Sequence, residues 1–401
     1  MLDQAFQLDP SVGGVSLHDI LNWHEGRHAE NLPPLLPEVG IGESAVLDAL
    51  AGRVLGKAAQ LGTEFAFAHM DPPTPWISWI LTLWNARLNQ NLLHPATAPV
   101  ARGIEERVLQ WMAPYFGMSG GHMVPGATVA NITAIWAARE RHRITEVVAS
   151  SASHVSIEKT ANLLGLKYRS IDVDEQGRLD SSELGDLSTS CLVLTAGTTS
   201  VGAIDPLDLS TGAAWVHVDA AWAGPLRLAP SHAHLLDGID RADSVAVSAH
   251  KLLFQPKESA LVLFRDANAA HAALTFGGAY LASPNVGLLG SHGASAAPLL
   301  ATLWAWGHRG IAARLSQCME KAAAFAYHIA QTEKLELWNQ PASGVIVWRP
   351  RDMTAEQLHA KLPSGSASLT SLEGTRWLRN VAANPNANVE KLFGQILDAL
   401  P

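Results

Sequence analysis

Lys251 and Asp219 are the two residues whose types and positions best suit a chemical step. Each directly follows a predicted strand, and they lie 32 positions apart (251 − 219). A lysine directed into a cleft can form a Schiff base with a carbonyl compound, because burial lowers its pKa and frees the neutral amine. A carboxylate beside it can keep the ring nitrogen of a pyridoxal protonated. The spacing leaves two alternatives open, a helix N-cap for Asp219 and a solvated loop charge for Lys251.

The elements that position these residues belong to an alternation of helices and strands between residues 101 and 300. Amphipathic segments such as ATVANITAIWAARERHR predict helices, and short β-branched runs predict the strands between them. This alternation predicts an α/β fold with a mostly parallel sheet, in which ligands bind at the carboxyl ends of the strands. The predicted strands are TEVVAS, YRSIDVD, SCLVLTAG, AAWVHVDAA, SVAVSAH and SALVLFRD.

Changes in pattern divide the chain into three predicted parts. Residues 1–65 form an N-terminal arm with short helices, in which LPPLLPEVGIG is irregular. Residues 66–300 form a large α/β domain, and residues 301–401 form a small C-terminal α+β domain that starts with a long amphipathic helix. The chain therefore has one large domain able to hold a site between its strands.

Composition excludes several classes of function. The chain has 401 residues and a formal net charge of −9, so a basic face for nucleic acid is not expected. Its 2 cysteines exclude a disulfide framework and a zinc site built from cysteines. The N-terminus resembles no signal peptide and no apolar run reaches about 18 residues, so we expect a cytoplasmic protein without membrane contact.

Three short patterns partly match known functional motifs, but none of them predicts a function for this chain. Gly117–Gly121 matches the G-x-S-x-G elbow of hydrolases, but a helical pattern precedes it where a strand is required. Gly52–Lys57 is one residue short of a phosphate-binding loop. His217, Asp219, His232 and His234 contain metal-ligand types, but 17 histidines make such groupings common by chance, and no metal is predicted.

Four ordered segments resemble the group II pyridoxal-phosphate-dependent amino-acid decarboxylases, which include the aromatic amino acid, glutamate and diaminobutyrate decarboxylases. They are HVSIEKTANLLG, TAGTTSVGAIDP, HVDAAWAG and SVAVSAHK, and PGATVANITAIWAAR resembles the family's phosphate-binding turn and helix. The resemblance implies the fold type I of pyridoxal-phosphate-dependent transferases. In that fold a large domain holds a mostly parallel seven-stranded sheet and a small α+β domain follows it. The implied cofactor is pyridoxal 5'-phosphate.

The resemblance also implies a role for each matching residue. Lys251 binds the cofactor covalently, Asp219 pairs with the pyridinium nitrogen, and His154 stacks on the ring; these three are the implied catalytic residues. Five further residues are implied to bind the cofactor, mainly at its phosphate: Ala127, Thr128, Thr195, Ser248 and His250.

The implied reaction is decarboxylation of an L-amino acid to its amine and carbon dioxide, through an external aldimine and a quinonoid. Arg379, Tyr280, His292 and Trp76 are the candidates for contact with the substrate. A homodimer with the active site at the subunit interface is also implied. A carbon–carbon lyase of the aldolase type, an aminotransferase and a non-catalytic ligand-binding protein remain alternatives.

Overall fold

The computed structural model describes residues 32–209, 211–278, 281 and 285–401. The chain divides into two compact units, Met1–Gln60 and Leu61–Pro401. The described part of the first unit contains helix α1, Glu43–Val54. The predicted domain limits at residues 65 and 300 stay a prediction.

The second unit contains a seven-stranded sheet with the strand order β1-β7-β6-β5-β4-β2-β3. The five adjacent strands β6, β5, β4, β2 and β3 run parallel to one another. Strand β7 runs antiparallel to both β6 and β1. The prediction of a mostly parallel seven-stranded sheet is thereby confirmed. The strands are β1 (Gly120–Val124), β2 (Glu146–Ser150), β3 (Lys167–Ile171), β4 (Ser190–Thr195), β5 (Trp215–Asp219), β6 (Ser244–Val247) and β7 (Ala260–Phe264).

Both faces of this sheet are covered, which explains its continuous apolar strands. Every residue of β4, β6 and β7 is buried. Alternate residues of a strand point to opposite faces, and the buried side chains separate accordingly into two apolar clusters. One cluster contains Leu192 and Leu194 of β4, and the other contains Cys191 and Val193.

Helices that connect or flank the strands form these two layers. Helix α4 packs on β5, β6 and β7, and the long helix α7 contacts both α2 and α3. Gly307 interrupts α7 with φ +60° and ψ 178°, a positive-φ conformation that is essentially restricted to glycine. The helices are α2 (Trp76–Leu88), α3 (Ala101–Met112), α4 (Ala127–His142), α5 (Ser156–Leu163), α6 (Ala267–Ala273), α7 (Ala296–Ala330), α8 (Ala355–His359) and α9 (Val389–Ala399).

Two smaller sheets complete the second unit. A four-stranded antiparallel sheet has the order β10-β11-β13-β12, and a two-stranded ribbon pairs β8 with β9. Their strands are β8 (Thr275–Phe276), β9 (Asn285–Val286), β10 (Leu335–Leu337), β11 (Val345–Pro350), β12 (Ser368–Leu372) and β13 (Thr375–Val381). Within the described ranges, no helix combines the length and the apolar character needed to cross a membrane.

Candidate active site

A cavity of about 220 Å³ opens beyond the carboxyl ends of β4, β5 and β6. This is the edge at which ligands bind in parallel α/β sheets. Its lining contains every residue that the sequence motifs assigned to catalysis or to the cofactor: Ala127, Thr128, His154, Thr195, Asp219, Ser248, His250 and Lys251. The fold thus gathers residues from five separate chain segments at one place.

Asp219 ends β5 and is held rigidly at the base of the cavity. It lies opposite Thr195 in the parallel ladder and is 5% exposed. Its Oδ2 accepts a hydrogen bond from Nδ2 of Asn131 at 2.9 Å, and its Oδ1 accepts one from the backbone N–H of Ala221 at 3.1 Å. Asp219 is therefore an oriented acceptor, and it caps no helix because the next helical turn begins at Gly224 with Ala223 as its N-cap.

Lys251 follows β6 in a turn in which its backbone N–H donates to the carbonyl of Ser248 at 3.2 Å. Burial lowers the pKa of Lys251, and the negative charge of Asp219 opposes that shift. A lowered pKa increases the fraction of neutral amine, which is the form that attacks a carbonyl. Lys251 is thus a cavity residue suited to covalent attachment, not a solvated loop charge.

His154 lies two residues before helix α5 and also lines the cavity. Its Nδ1 is 2.8 Å from Oγ of Ser156 and accepts the backbone N–H of the same serine at 3.2 Å. These two contacts hold the ring by one edge. The other ring nitrogen, Nε2, makes no hydrogen bond to the described residues.

One corner of the cavity suits an anion. Helix α4 begins there at Ala127, and its first turn contains no acidic residue. The N–H groups of a first helical turn have no acceptor within the helix, and the helix dipole adds partial positive charge. Ser248 and His250 line the same cavity. A phosphate dianion would receive hydrogen bonds from these groups.

Three buried polar atoms around the cavity lack a hydrogen-bond partner among the described residues: Oγ1 of Thr195, Oγ of Ser248 and Nδ1 of His250. Buried polar atoms nearly always have a hydrogen-bond partner, so three unpaired atoms at one cavity indicate a polar ligand. Burial, with the nearby charges of Lys257 and Lys251, lowers the pKa of His250 to about 4. His250 is therefore a neutral hydrogen-bonding group at pH 7. Together with Lys251 and Asp219, these atoms fit pyridoxal phosphate.

Arg379 lies in β13 of the four-stranded sheet, outside the cavity lining but within electrostatic reach of Lys251. Its Nε is buried without a hydrogen-bond partner in the described chain, and burial lowers its pKa. Asp71, which forms an ion pair with Lys257, also acts electrostatically on Lys251. A guanidinium with a free donor beside the reactive lysine is suited to a carboxylate.

Of the other three substrate candidates, the two that the structure describes, Trp76 and His292, do not line the cavity. Trp76 begins α2 and is 67% exposed. His292 donates from Nδ1 to the carbonyl of Gly290 at 2.8 Å and lines two neighbouring cavities instead. Tyr280 lies outside the described residues.

The structure adds residues that the sequence did not single out. Asn131 contacts Asp219 directly, and Gly197 and Trp222 line the cavity. Asn131 follows Ala127 by four positions and so lies on the same helix face, a spacing from which it could have been found. Asp71 lies within HMDPPTPW. Among the described residues no group of three or more histidine, cysteine or acidic side chains is arranged to hold a metal ion.

Comparison with known proteins identifies the family. Residues 53–351 match the model of the pyridoxal-dependent decarboxylase conserved domain. The chain is 30% identical to the L-2,4-diaminobutyrate decarboxylase of Rhizobium meliloti (strain 1021), covering 92% of this chain and 84% of that protein. It is 28% identical to the aspartate 1-decarboxylase of Aliivibrio fischeri (strain ATCC 700601 / ES114), covering 78% of this chain and 69% of that protein.

Solved structures share the fold. Mouse CSAD superposes with a TM-score of 0.82 at 24% identity, covering 91% of this chain and 90% of that one. The tryptophan decarboxylase of Catharanthus roseus gives a TM-score of 0.81 at 20% identity, covering 92% and 89%. The predicted fold type I is thereby confirmed, and the aldolase-type, aminotransferase and non-catalytic alternatives are not favoured. The chain belongs to the pyridoxal-dependent decarboxylases, lyases that remove carbon dioxide from amino acids with pyridoxal phosphate as cofactor.

Proposed function

We propose that the cavity at the ends of β4, β5 and β6 decarboxylates an L-amino acid, with Lys251 as the residue that carries the cofactor. The observation that carries this proposal is the convergence of Lys251, Asp219 and three unpaired buried polar atoms on one cavity. When bound, pyridoxal phosphate supplies an electron sink for the electron pair left on the substrate carbon. The protein's own residues bind, orient and move protons around it.

Each residue of the cavity has a distinct part in this proposal. Asp219 would keep the ring nitrogen of the cofactor protonated, and His154 would pack against the ring. Ala127, Thr128, Ser248 and His250 bind the phosphate, and Thr195 donates to a ring substituent or to the substrate. Lys251 would hold the cofactor through its side-chain amine, and a free amine at this place could move a proton at the reacting carbon.

Arg379 is the proposed contact for a substrate carboxylate. Its partly buried guanidinium has an unpaired Nε and lies close enough to Lys251 to affect its pKa. A bidentate contact from arginine would hold the carboxylate in a fixed direction, which decides the bond that breaks at the α-carbon. The ion pair of Asp71 and Lys257 adds one charge of each sign nearby. Both a diaminobutyrate-like and an aspartate-like side chain are therefore reasonable substrates to test.

We also propose a cytoplasmic homodimer. Helix α2 exposes Trp76, Trp79 and Trp84, which are 67%, 41% and 56% accessible, and an apolar helical surface of this kind is typical of a subunit contact. Trp76, Tyr280 and His292 remain proposed substrate contacts. Light scattering on the purified chain tests whether it is a homodimer. A molar mass that corresponds to a monomer at every concentration would contradict the homodimer.

The primary experiment compares the purified protein with Lys251→Ala, after incubation of both with pyridoxal phosphate. We expect a visible absorption band in the unmodified protein that borohydride abolishes, and cofactor mass on the peptide containing Lys251. Lys159→Ala, which changes an exposed lysine of α5, is the matched control and keeps both signals. A band of equal intensity in Lys251→Ala would contradict the assignment.

The reaction itself is tested with a panel of amino acids scored for carbon dioxide. The panel contains L-2,4-diaminobutyrate, L-aspartate, L-cysteine sulfinate and the aromatic amino acids. Carbon dioxide release that depends on Lys251 supports the proposal. Cofactor binding without carbon dioxide from any member of the panel, while an aldol or amino-transfer product forms, would contradict it.

A further inference from the structure

Asn131 lies at the centre of a buried hydrogen-bond network beneath the cavity. Its side chain is 0% exposed, and its Nδ2 donates to Oδ2 of Asp219 at 2.9 Å and to Oγ of Ser156 at 3.0 Å. A carboxylate only accepts, so the amide nitrogen must face Asp219. The Oδ1 of Asn131 then faces Nε2 of His217 at 3.0 Å. The orientation of the amide follows from its partners.

The branch through His217 agrees with that orientation. Since Oδ1 of Asn131 only accepts, Nε2 of His217 carries the proton and Nδ1 accepts from Oγ of Ser244 at 2.8 Å. Oγ of Ser244 in turn accepts the indole N–H of Trp215 at 2.8 Å. Burial lowers the pKa of His217 to about 4, as a neutral ring with a single N–H requires. Every donor on this side of Asn131 has an acceptor.

The branch through Ser156 leads to the cavity. Oγ of Ser156 accepts from Asn131, so its hydrogen is free to point at Nδ1 of His154, 2.8 Å away. The backbone N–H of Ser156 also points at that nitrogen, at 3.2 Å, and a backbone N–H only donates. The Nδ1 of His154 is thus an acceptor without a proton, and the ring proton is on Nε2.

We propose that Asn131 is a positioning residue that sets two cavity groups at once: it fixes the carboxylate of Asp219, and through Ser156 it holds His154 in the tautomer with its proton on Nε2. The Nε2–H is then a ready donor, because it makes no hydrogen bond to the described residues. The group it would serve is the carboxylate or developing carbanion of a substrate. This last step rests on the proposed function, whereas the tautomer does not.

Nitrogen NMR of the complete, purified chain labelled with ¹⁵N-histidine tests the tautomer directly. The signals of His154 are identified by their loss in His154→Gln. We expect Nδ1 to resonate as a non-protonated acceptor nitrogen and Nε2 as a protonated one. A proton on Nδ1 of His154 in the unmodified protein would overturn the proposal, whatever the protein does with amino acids.

Two substitutions test whether Asn131 is the cause. In Asn131→Asp a carboxyl oxygen replaces Nδ2 beside Oδ2 of Asp219, and the two buried carboxyl groups must share one proton. The new oxygen accepts the hydroxyl proton of Ser156, so Oγ of Ser156 becomes free to accept a proton from Nδ1 of His154. We expect the Nδ1-protonated form of His154 to grow. In Asn131→Ala the hydroxyl of Ser156 loses the hydrogen bond from Asn131. We expect the signal of the Nδ1-protonated form to increase as well, but by a smaller amount than in Asn131→Asp. Asn384→Ala removes another buried asparagine, 2% exposed and hydrogen-bonded to Thr63 and Ala66, and leaves the spectrum unchanged.

The outcomes separate the two proposals. Folded Asn131 variants with the same His154 tautomer as the unmodified chain would overturn the positioning role. If neither variant folds, as judged by circular dichroism, the spectrum of the unmodified protein still decides the tautomer. A chain with the expected tautomer that releases no carbon dioxide would overturn the proposed function and leave this inference standing.

Discussion

The Oδ2 of Asp205 accepts a hydrogen bond from the backbone N–H of Thr195 at 2.7 Å, at the point where β4 ends beside the cavity. The Oδ1 of the same carboxylate accepts the backbone N–H of Leu179 at 2.8 Å. Asp205 is 1% exposed, and burial raises its pKa to about 6. One buried side chain thus satisfies two buried donors and holds the TAGTTSVGAIDP turn against the sheet.

Asp205→Ala is therefore expected to destabilise the protein. It leaves two buried N–H groups unpaired, and each such loss costs about 1–3 kcal/mol, so we expect a decrease of about 3 kcal/mol in the free energy of unfolding. Urea unfolding at pH 7 measures it. Asp208→Ala, an exposed aspartate three residues later, is the control and changes the same quantity by less than about 0.5 kcal/mol. Equal losses in both variants would refute the role assigned to Asp205.

Ser248→Ala should affect ligand binding and stability in opposite directions. Its Oγ is buried and unpaired among the described residues, so removal costs the cofactor-free protein nothing and stabilises it by up to about 1 kcal/mol. A lost hydrogen bond to a charged phosphate weakens cofactor binding by about tenfold or more. Fluorescence titration with pyridoxal phosphate and thermal unfolding of the cofactor-free chain measure the two effects.

Ser343→Ala is the matched control for Ser248→Ala. Its Oγ is also buried but donates to the carbonyl of Gly202 at 2.7 Å. We expect this variant to lose about 1 kcal/mol of stability and to bind the cofactor normally. The interpretation of Ser248 as a ligand contact fails if its variant binds pyridoxal phosphate as tightly as the unmodified chain does.

Gly197 should not tolerate a side chain. It lines the cavity with φ +97°, and a Cβ would lie 2.6 Å from the indole of Trp222. Gly197→Ala combines backbone strain with overpacking, each costing about 1–3 kcal/mol. Gly185→Ala is the control, because Gly185 has φ +62° but open space around its Cβ position. The denaturation midpoints of the two variants are compared with that of the unmodified chain. An equal decrease in both variants would show that the contact with Trp222 is unimportant.

His217 makes stability depend on pH. Its pKa is about 4 in the folded protein against 6.5 ordinarily, so between these values the unfolded chain binds a proton that the folded chain does not. The contribution of His217 is complete above pH 6.5 and is lost as the pH falls towards 4, by up to about 3 kcal/mol. Unfolding by urea at pH 7 and pH 5 measures the decrease.

His217→Gln is expected to reduce this pH dependence, since glutamine does not titrate. Some dependence remains, because burial also lowers the pKa of His122, to about 3. His234→Gln changes an exposed histidine and should leave the difference between pH 7 and pH 5 as it is in the unmodified chain. The assignment of this pH dependence to His217 would be wrong if His217→Gln showed the same difference in stability between pH 7 and pH 5 as His234→Gln.

Local patterns in the sequence predicted six of the seven strands of the main sheet. Strands such as SCLVLT and ALVLF are predominantly apolar because helices cover both faces of the sheet, so composition identifies them. Strand β1, GGHMV, was not predicted. Its two glycines disfavour a strand locally, and it forms only because β7 pairs with it along the edge of the sheet. A pairing over more than 130 residues leaves no local signal.

The candidate site likewise combines residues that local sequence patterns identify with contacts that depend on the tertiary structure. The motifs around Lys251, Asp219 and His154 placed these residues at strand ends or a helix start, and the order of strands then brings them to one cavity. The sequence determined which residue types follow each strand, since propensity and periodicity act over a few neighbouring residues. Only the tertiary structure decided that Asn131 reaches Asp219 and that Thr195, Ser248 and His250 lack partners. Hydrogen bonding of buried groups depends on distances between residues far apart in the chain, which folding alone sets.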